Sequence, residues 1–417
     1  MKTPPPPTPP PANAATARPA RWHEMDWVRL GAVVGVFGYH CTRVFMAGPY
    51  SIKNPDRLPL LDLLGFVVEQ WGMPLLFLIS GVSFALRQIA MKTAAFEGAS
   101  TSAVGAANRS KMFLAIGRRL AVPFVAGTIL FGPLQVYLER VQQDGFAGSF
   151  VDFLPHVFDG WYGFGGNFPW MGLHLWYLLA LLIFIPASMP LTAATHALIR
   201  TRPGRWVAET LGRRPAAAVV LGGFLALWVA ETIVGLWPKT VGNNVLGGWA
   251  LPAYFVIFLT GIATGFLPGW RAELARWAWL LAMGAVAVTA GGLLLVITGV
   301  TDAATAERSP FAPAYVAVMG LRAGNAWLWL LAWLALGGRF LADRPLPRAL
   351  NDAVLPAYIL HQPVLLALAF FVVQLDATIA AKWQLLILSA AATTAIFTAL
   401  VLFVPPLRWL FGVRGRR

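Results

Sequence analysis

A chain of 417 residues in which 58% are hydrophobic and only 12% are charged is too apolar for a soluble globular protein, where about a quarter of residues are charged. The net charge of +14 would suit a nucleic-acid partner, but retention of Lys and Arg in cytoplasmic loops accounts for it equally, so their distribution along the chain must decide. The single cysteine, Cys41, excludes an internal disulfide and a cysteine metal cluster.

The chain divides into one large segment with a short tail at each end. Residues 1–20 are rich in Pro and Ala and too poor in large apolar side chains to be buried, so they predict a disordered cytosolic tail and no signal peptide. Residues 21–410 carry the apolar stretches and predict a single transmembrane domain. Residues 411–417 predict a basic cytosolic tail.

Ten apolar stretches follow one another, each close to the 17 to 25 residues or so that a helix needs to cross the hydrocarbon core. Runs such as 280–296 and 385–404 are apolar on every side, which favours helices over barrel strands of alternating polarity. We therefore predict an all-α polytopic membrane protein of about ten transmembrane helices. The predicted spans are 27–46, 62–87, 112–138, 171–194, 216–236, 248–267, 275–298, 315–337, 354–375 and 382–404.

The distribution of charge orients these spans. An even number of spans places both termini on one side, and assigning that side to the cytoplasm puts 24 of the 32 Lys and Arg residues inside. Of the 18 acidic residues, 11 then lie outside. We predict cytoplasmic termini and a lipid bilayer as the partner, and the basic charge requires no nucleic acid.

The first span contains an unusual histidine. An ionisable group inside an apolar helix is costly and tends to mark a pathway, a site or a buried pair. His40 follows Arg29 by eleven residues, so the two lie about 16 Å apart and nearly on one helix face. His40 is therefore a candidate general base, with a packing histidine as the alternative. For Arg29, an anion-binding role competes with the ordinary preference for Arg at the cytoplasmic edge.

Acidic and basic residues within other spans add candidates. Glu69 in the second span lies level with His40 and is predicted either to orient that imidazole or to pair with an Arg. Glu231 in the fifth span and Arg322 in the eighth both fall in the outer halves of their helices. A salt bridge between them is the simplest interpretation, and substrate contact by Arg322 is the alternative.

The longest outer connection, residues 139–170, is rich in glycine and aromatic residues and is the natural candidate for a lid. The segment that follows, His174-Leu-Trp-Tyr-Leu178, begins the fourth span. An interfacial aromatic belt is its simpler interpretation, and contact of His174 and Trp176 with a substrate is the alternative.

Tyr358 and His361 share a helix face in the ninth span and are candidates for catalytic assistance, with a packing role for His361 as the alternative. Pro356 and Pro363 flank them, and the backbone groups freed by these prolines are available to a ligand.

No nucleotide-binding or metal-binding pattern occurs in the sequence. Gly163-Phe-Gly-Gly166 lacks both the spacing and the strand-turn-helix context of a phosphate-binding loop. The 6 histidines form no His-x-x-x-His or Glu-x-x-His pair. We predict no metal site and no permanently bound cofactor.

Five short segments, taken in order, resemble the acyltransferase-3 family of bacterial membrane O-acyltransferases, and within it the branch of glucan biosynthesis protein C. They are Asp26-Trp-Val-Arg29 with His40 after ten further residues, Trp71-Gly-Met-Pro-Leu-Leu-Phe-Leu-Ile-Ser-Gly81, Arg118-Arg-Leu-Ala-Val-Pro-Phe124, His174-Leu-Trp-Tyr-Leu178 and Tyr358-Ile-Leu-His361. One departure is that Arg118 and Arg119 are adjacent, with Ile116 at a position that the family commonly fills with a basic residue.

The resemblance implies an enzyme of the bacterial inner membrane that transfers an acetyl or succinyl group from acyl-coenzyme A to a hydroxyl of a glycan. Arg29, Arg118, Arg119 and Arg87 are then expected to meet the phosphates of the donor, because guanidinium groups suit phosphate oxygens. His40 is expected to act as the base. A transporter or flippase is the alternative from the buried charges alone, although no internal repeat pairs the first five spans with the last five. A non-catalytic scaffold is the third hypothesis.

Overall fold

The computed structural model describes residues 22–97, 102–236, 248–306 and 309–413. The predicted tail 1–20 and the last four residues of the predicted tail 411–417 lie outside these ranges. The last helix ends at Leu410, and the next residue, Phe411, is buried with its ring 6.3 Å from that of Phe131.

Within these ranges the protein consists of fifteen α-helices and two 3₁₀ turns, with one isolated bridge between Trp161 and Phe168. In chain order the helices are α1 (His23–Arg43), α2 (Pro59–Glu97), α3 (Ser102–Gln143), α4 (Phe150–Phe153), α5 (Trp176–Ile199), α6 (Arg202–Arg213), α7 (Pro215–Val234), α8 (Leu251–Phe266), α9 (Trp270–Arg276), α10 (Ala278–Ile297), α11 (Val300–Ala306), α12 (Pro313–Phe340), α13 (Arg348–Val372), α14 (Ile379–Phe403) and α15 (Pro405–Leu410).

A helix occupies each of the ten predicted spans, and the prediction of an all-helical membrane protein is confirmed. In the described ranges 7 helices are long and apolar enough to cross a membrane, and α8 joined to α9 across a 106° bend raises the number to 8. Three helices fall short alone, because α8 has 16 residues and α1 and α12 carry charged side chains. The count of ten and the sides of the termini therefore stay predictions.

Helices α2 and α13 form the centre of the domain. In both, 61% of the most apolar stretch is buried within the protein, against 11% in α10. The outward side chains of α10 and α14 are large and apolar, among them Leu280, Leu294, Leu388 and Ile396. Such side chains suit a hydrocarbon surrounding, so α10 and α14 lie at the lipid-facing periphery.

Glycines let α2 and α8 approach each other at backbone distance. A Cβ atom on Gly81 would lie 2.1 Å from the carbonyl oxygen of Phe258, and one on Gly261 would lie 2.2 Å from that of Leu78. Small residues at such crossings allow the close van der Waals packing that holds helices together in a bilayer. The segment from Trp71 to Gly81 thus positions α2 against α8.

Buried polar side chains link helices inside the apolar domain. The Thr289 hydroxyl of α10 donates to Asn325 Oδ1 of α12 (2.7 Å), and Asn325 Nδ2 donates to Gln70 Oε1 of α2 (3.3 Å). Arg271 of α9 forms an ion pair with the buried Glu24 of α1. Because these groups are paired with one another, their positions are explained by packing and require no ligand.

The connection 139–170, predicted to lie on the outer side, is held together by contacts among its own residues. Arg140 donates to Asn167 Oδ1 (2.9 Å), to the Gly166 carbonyl (3.0 Å) and to Asp144 (2.7 Å). The rings of Trp161 and Trp170 lie 5.5 Å apart and contact each other. No residue of this connection lines either cavity described below, so its part as a lid is not supported by the contacts.

Candidate active site

Two cavities lie one above the other along α1. They are named outer and inner after the predicted orientation of the chain. The outer cavity, of about 410 Å³, is lined near the end of α1 by His40 and Arg43. The inner cavity, of about 160 Å³, is lined nearer the start of α1 by Arg29 and Val33. Arg29 and His40 are eleven residues, or about three turns, apart on one face of α1, and this face borders both cavities. One of the two residues therefore lies in each cavity.

Basic residues from three helices converge on the inner cavity. Arg29 of α1, Arg87 of α2 and Arg119 of α3 line it. Arg29 donates to Asp26 (3.1 Å) and to Asn351 of α13 (2.5 Å), which also lines the cavity. These contacts hold the guanidinium group of Arg29 in place at the end of the cavity.

Arg118 does not join this group. Its side chain is exposed and absent from the cavity lining, whereas the adjacent Arg119 is half-buried and lines it. Neighbouring residues on a helix point about 100° apart, and on α3 the second of the two arginines is the one directed toward the cavity. Ile116, at the position that the family commonly fills with a basic residue, lines the same cavity and contributes an apolar wall instead.

In the outer cavity His40 has a partner that the sequence did not indicate. The Tyr50 hydroxyl lies 3.1 Å from His40 Nδ1, and the two rings are stacked with centroids 6.1 Å apart. Burial raises the pKa of Tyr50 well above its usual value, so the hydroxyl stays neutral. Gln143 of α3 donates to the carbonyl groups of Tyr50 (2.7 Å) and Ser51 (3.0 Å) and thereby holds this segment over the cavity.

The predicted contact of Glu69 with His40 is not formed. Glu69 lines the outer cavity, but its Oε1 accepts a hydrogen bond of 2.6 Å from the hydroxyl of Tyr39, the residue preceding His40. Successive side chains on α1 diverge by about 100°, and Glu69 meets the first of the two. The carboxylate of Glu69 thus faces the cavity beside Tyr39, and Tyr50 takes the place predicted for it beside the imidazole.

Arg322 forms the predicted ion pair with Glu231, with Nε 2.7 Å from Oε2. It also donates to the Gly248 carbonyl and lies over the ring of Trp249 at 4.3 Å from the ring centroid. The guanidinium group still lines the outer cavity, as Trp176 does on α5. Both of the interpretations given for Arg322 are therefore compatible with its position.

Three histidines gather beside the outer cavity. The ring centroid of His361 lies 5.3 Å from that of His40 and 5.3 Å from that of His174. His40 and His174 line the cavity, whereas His361 is buried behind them. Among the residues that the structure describes, no group of three or more His, Cys, Asp or Glu side chains is arranged to hold a metal ion.

Pro363 determines the hydrogen bonding of His174. A proline has no N–H, so the Ile359 carbonyl, four residues earlier on α13, lacks its helical donor. His174 Nε2 donates to that carbonyl at 2.9 Å. The backbone carbonyl that Pro363 frees, predicted to be available to a ligand, thus accepts a hydrogen bond from a histidine of another segment.

The remaining ring nitrogens of two histidines have no hydrogen-bond partner among the residues that the structure describes. His361 Nδ1 donates to the Tyr358 carbonyl at 2.6 Å, so Nε2 is the nitrogen that carries the lone pair. In His174 the lone pair is on Nδ1, because Nε2 is the donor. Both lone-pair nitrogens are buried without a hydrogen-bond partner in the described chain. Two proton acceptors therefore lie next to His40 within an otherwise apolar region.

Tyr358 lines both cavities. Its hydroxyl donates to the backbone carbonyl of His174, and its ring contacts that of Tyr177, with centroids 5.8 Å apart. Just before His174, Leu173 adopts a left-handed backbone with φ of 52°, which is a strained conformation for a residue other than glycine. This strained residue directly precedes His174, whose carbonyl accepts the hydrogen bond from Tyr358.

Comparison with known proteins identifies a family. The family model of an acyltransferase domain, Acyl_transf_3, matches residues 22–404, which include every cavity-lining residue named above. No curated protein and no solved structure matches the chain significantly.

Proposed function

The chain belongs to the acyltransferase-3 family, and from this premise we propose that it transfers an acyl group from acyl-coenzyme A to a hydroxyl of a glycan or cell-envelope polysaccharide. The observation that carries the proposal is that two cavities of different character share a wall at Tyr358, beside His40. A transferase that brings together substrates from the two sides of a bilayer needs such an arrangement, because both reactants must reach one point.

The inner cavity suits the donor. Arg29, Arg87 and Arg119 offer guanidinium groups to the phosphates of coenzyme A, with Asn351 beside them. Beyond them the walls are mainly apolar, with residues such as Leu76 and Leu178, and lead to Tyr358. A pantetheine arm can occupy this stretch and bring its thioester to the wall between the cavities.

The outer cavity suits the acceptor. It combines an aromatic ring, Trp176, with the charged side chains of Glu69, Arg43 and Arg322. Rings and charged hydrogen-bonding groups together are what a polyhydroxylated sugar requires, because its C–H faces pack on aromatics and its hydroxyls need partners. The predicted contacts of Trp176 and Arg322 with substrate belong to this part of the proposal.

The proposed reaction is a direct transfer. His40 accepts the proton of the sugar hydroxyl while its oxygen attacks the thioester carbonyl carbon. The carbon–sulfur bond breaks, and the coenzyme A sulfur leaves and recovers the proton from His40. If Nδ1–H donates to the Tyr50 oxygen, the other ring nitrogen keeps the lone pair that the base needs. His361, with its unpartnered Nε2, is the nearest further proton acceptor.

Replacing Arg119 should weaken donor binding much more than replacing its neighbour. Arg119→Ala removes a guanidinium group from the inner cavity and is expected to raise the KM for acyl-coenzyme A by roughly 10-fold or more, the worth of a hydrogen bond to a charged group. Arg118→Ala removes the same charge from an exposed position and should change KM by less than about twofold. Equal effects in the two variants would contradict the donor site placed here.

Tyr50→Phe tests whether the hydroxyl positions His40. Loss of one hydrogen bond of about 1 kcal/mol predicts a fall in kcat of roughly fivefold, with the KM for the donor unchanged. Tyr137→Phe is the matched control, because it also removes one hydroxyl hydrogen bond but lies outside both cavities. A Tyr50→Phe variant with unchanged kcat would show that the imidazole is held by other contacts.

Acyl transfer itself can be measured with the purified protein reconstituted in liposomes. Acetyl- and succinyl-coenzyme A labelled with a stable isotope in the acyl group are supplied to one side and cell-envelope glycans to the other, and label is sought in the glycan by mass spectrometry. Label in the glycan with release of free coenzyme A is the expected result. Passage of glycan or solute across the vesicle membrane without transfer of label would favour the transporter hypothesis. If neither transfer nor passage occurs, the scaffold hypothesis is the one that remains.

A further inference from the structure

Helix α6 (Arg202–Arg213) connects two candidate membrane spans. The span ending at Ile199 leads into it after two residues, and the span starting at Pro215 follows it after one. One span leaves the bilayer and the other enters it at the same face, so the connecting helix lies at that surface.

The start of α6 is fixed against the end of α5. Thr201 caps the helix, with its hydroxyl accepting a hydrogen bond from the Gly204 amide (3.2 Å) and donating to the Leu198 carbonyl (2.7 Å). A Cβ on the buried Gly204 would lie 1.9 Å from the Leu198 carbonyl oxygen. The helix therefore has a set orientation relative to α5, and its two faces point in set directions.

One face of α6 is apolar and uncovered. Trp206 is 68% exposed, and Val207 and Leu211 are each 46% exposed. Positions 206, 207 and 211 fall on one side of a helix that turns about 100° per residue. A tryptophan with two aliphatic side chains suits the boundary between lipid headgroups and acyl chains.

A second side of α6 is basic, and Trp206 lies where it meets the apolar side. At about 100° per residue, Arg202, Arg205 and Arg213 lie within one arc of about 80°, and Trp206 adjoins that arc because it follows Arg202 by one turn. Arg200 and Arg214 flank the helix. All five side chains are exposed, and across the described chain none of them forms an ion pair with a carboxylate. Glu209 is the one acidic residue in this stretch of sequence, so the surface has a strong positive excess.

From this geometry we infer that α6 is a membrane-surface helix that binds the headgroups of anionic phospholipids. Its apolar face enters the headgroup boundary and its arginines meet lipid phosphates at the same level, which is the arrangement of amphipathic lipid-binding helices. Guanidinium groups favour phosphate by forming two parallel hydrogen bonds. The inference is independent of the reaction proposed above.

Native mass spectrometry of the full-length protein, released from nanodiscs containing phosphatidylglycerol and phosphatidylcholine, tests the inference. The unmodified protein should retain phosphatidylglycerol preferentially. The variant R202Q/R205Q/R213Q should lose that preference by roughly fivefold for each charge removed, the effect of one basic residue at an anionic surface. R202K/R205K/R213K keeps the charge and should retain most of the preference.

The matched control is R276Q/R339Q/R344Q, which removes the same charge from exposed arginines outside α6. Its loss of preference should be clearly smaller than that of the α6 variant, because these three arginines lie at separate helix ends and in a connection and are not carried together by one surface helix. If the α6 variant keeps its preference, or the control loses as much, the inference is overturned. Should the triple α6 variant fail to fold in neutral detergent, R205Q alone is expected to lose about fivefold, and an unchanged preference in R205Q would overturn the inference equally.

Discussion

His40→Ala is expected to lower the rate of acyl transfer by roughly 10² to 10⁴-fold, the usual contribution of a general base, while the protein remains inserted and folded. The expectation rests on its position, since His40 lines the outer cavity next to Tyr358, where the two cavities adjoin. The measurement is single-turnover transfer of labelled acyl groups by the reconstituted protein. KM for the donor should change little, because the inner cavity is untouched.

The control for this variant is His156→Ala. His156 lies in the outer connection, is paired with Asp159 at 2.8 Å and lines neither cavity. Full activity in that variant would show that loss of an imidazole as such is harmless. Substantial transfer by His40→Ala would remove His40 from the mechanism and favour His361 or His174 as the base.

Gly81→Ala is expected to lower the free energy of unfolding by about 1 to 3 kcal/mol, as overpacking of a close contact does. The added methyl group would lie 2.1 Å from the Phe258 carbonyl oxygen, and backbone atoms cannot yield as the end of a flexible side chain can. Helices α2 and α8 must separate, and α2 carries Glu69 and Arg87 to the cavities. Thermal unfolding in detergent should show a lower Tm, accompanied by a loss of activity.

Gly284→Ala provides the comparison, because a Cβ at this position on α10 meets no atom within 4 Å. That change should be neutral or slightly stabilising, since alanine is the better helix former. Equal melting temperatures for the two variants would show that α2 and α8 can move apart without cost.

The helices and the alignment of Arg29 with His40 along α1 were predictable because both depend on local periodicity. Apolar length marks a span, and the spacing of Arg29 and His40 fixes their shared face wherever the helix packs. The ion pair of Glu231 with Arg322 followed from the cost of an unpaired charge in lipid. Each of these properties depends either on the sequence of a single helix or on one buried charge that requires a partner of opposite charge.

The contacts of the site were less predictable because they depend on how segments meet. Tyr50 lies outside the helices, and contacts of its segment with Gln143 of α3 and Arg43 of α1 hold it beside His40. Glu69 was placed at the right depth, but its rotation toward Tyr39 depends on the crossing of α1 with α2. Likewise the sequence presented Arg118 and Arg119 as a pair, and only the packing of α3 distinguishes them.

The link from Pro363 through Ile359 to His174 bears on how the protein is made. The hydrogen bond from His174 to Ile359 joins residues that are 185 apart in sequence, and the same part of α13 supplies Asn351 and Tyr358 to the cavities. A ribosome delivers α13 after every other element that lines them. Until α13 has been synthesised, both cavities therefore lack one wall and His174 lacks the carbonyl to which its Nε2 donates. The enzyme can become active only after the last fifth of the chain has entered the bilayer.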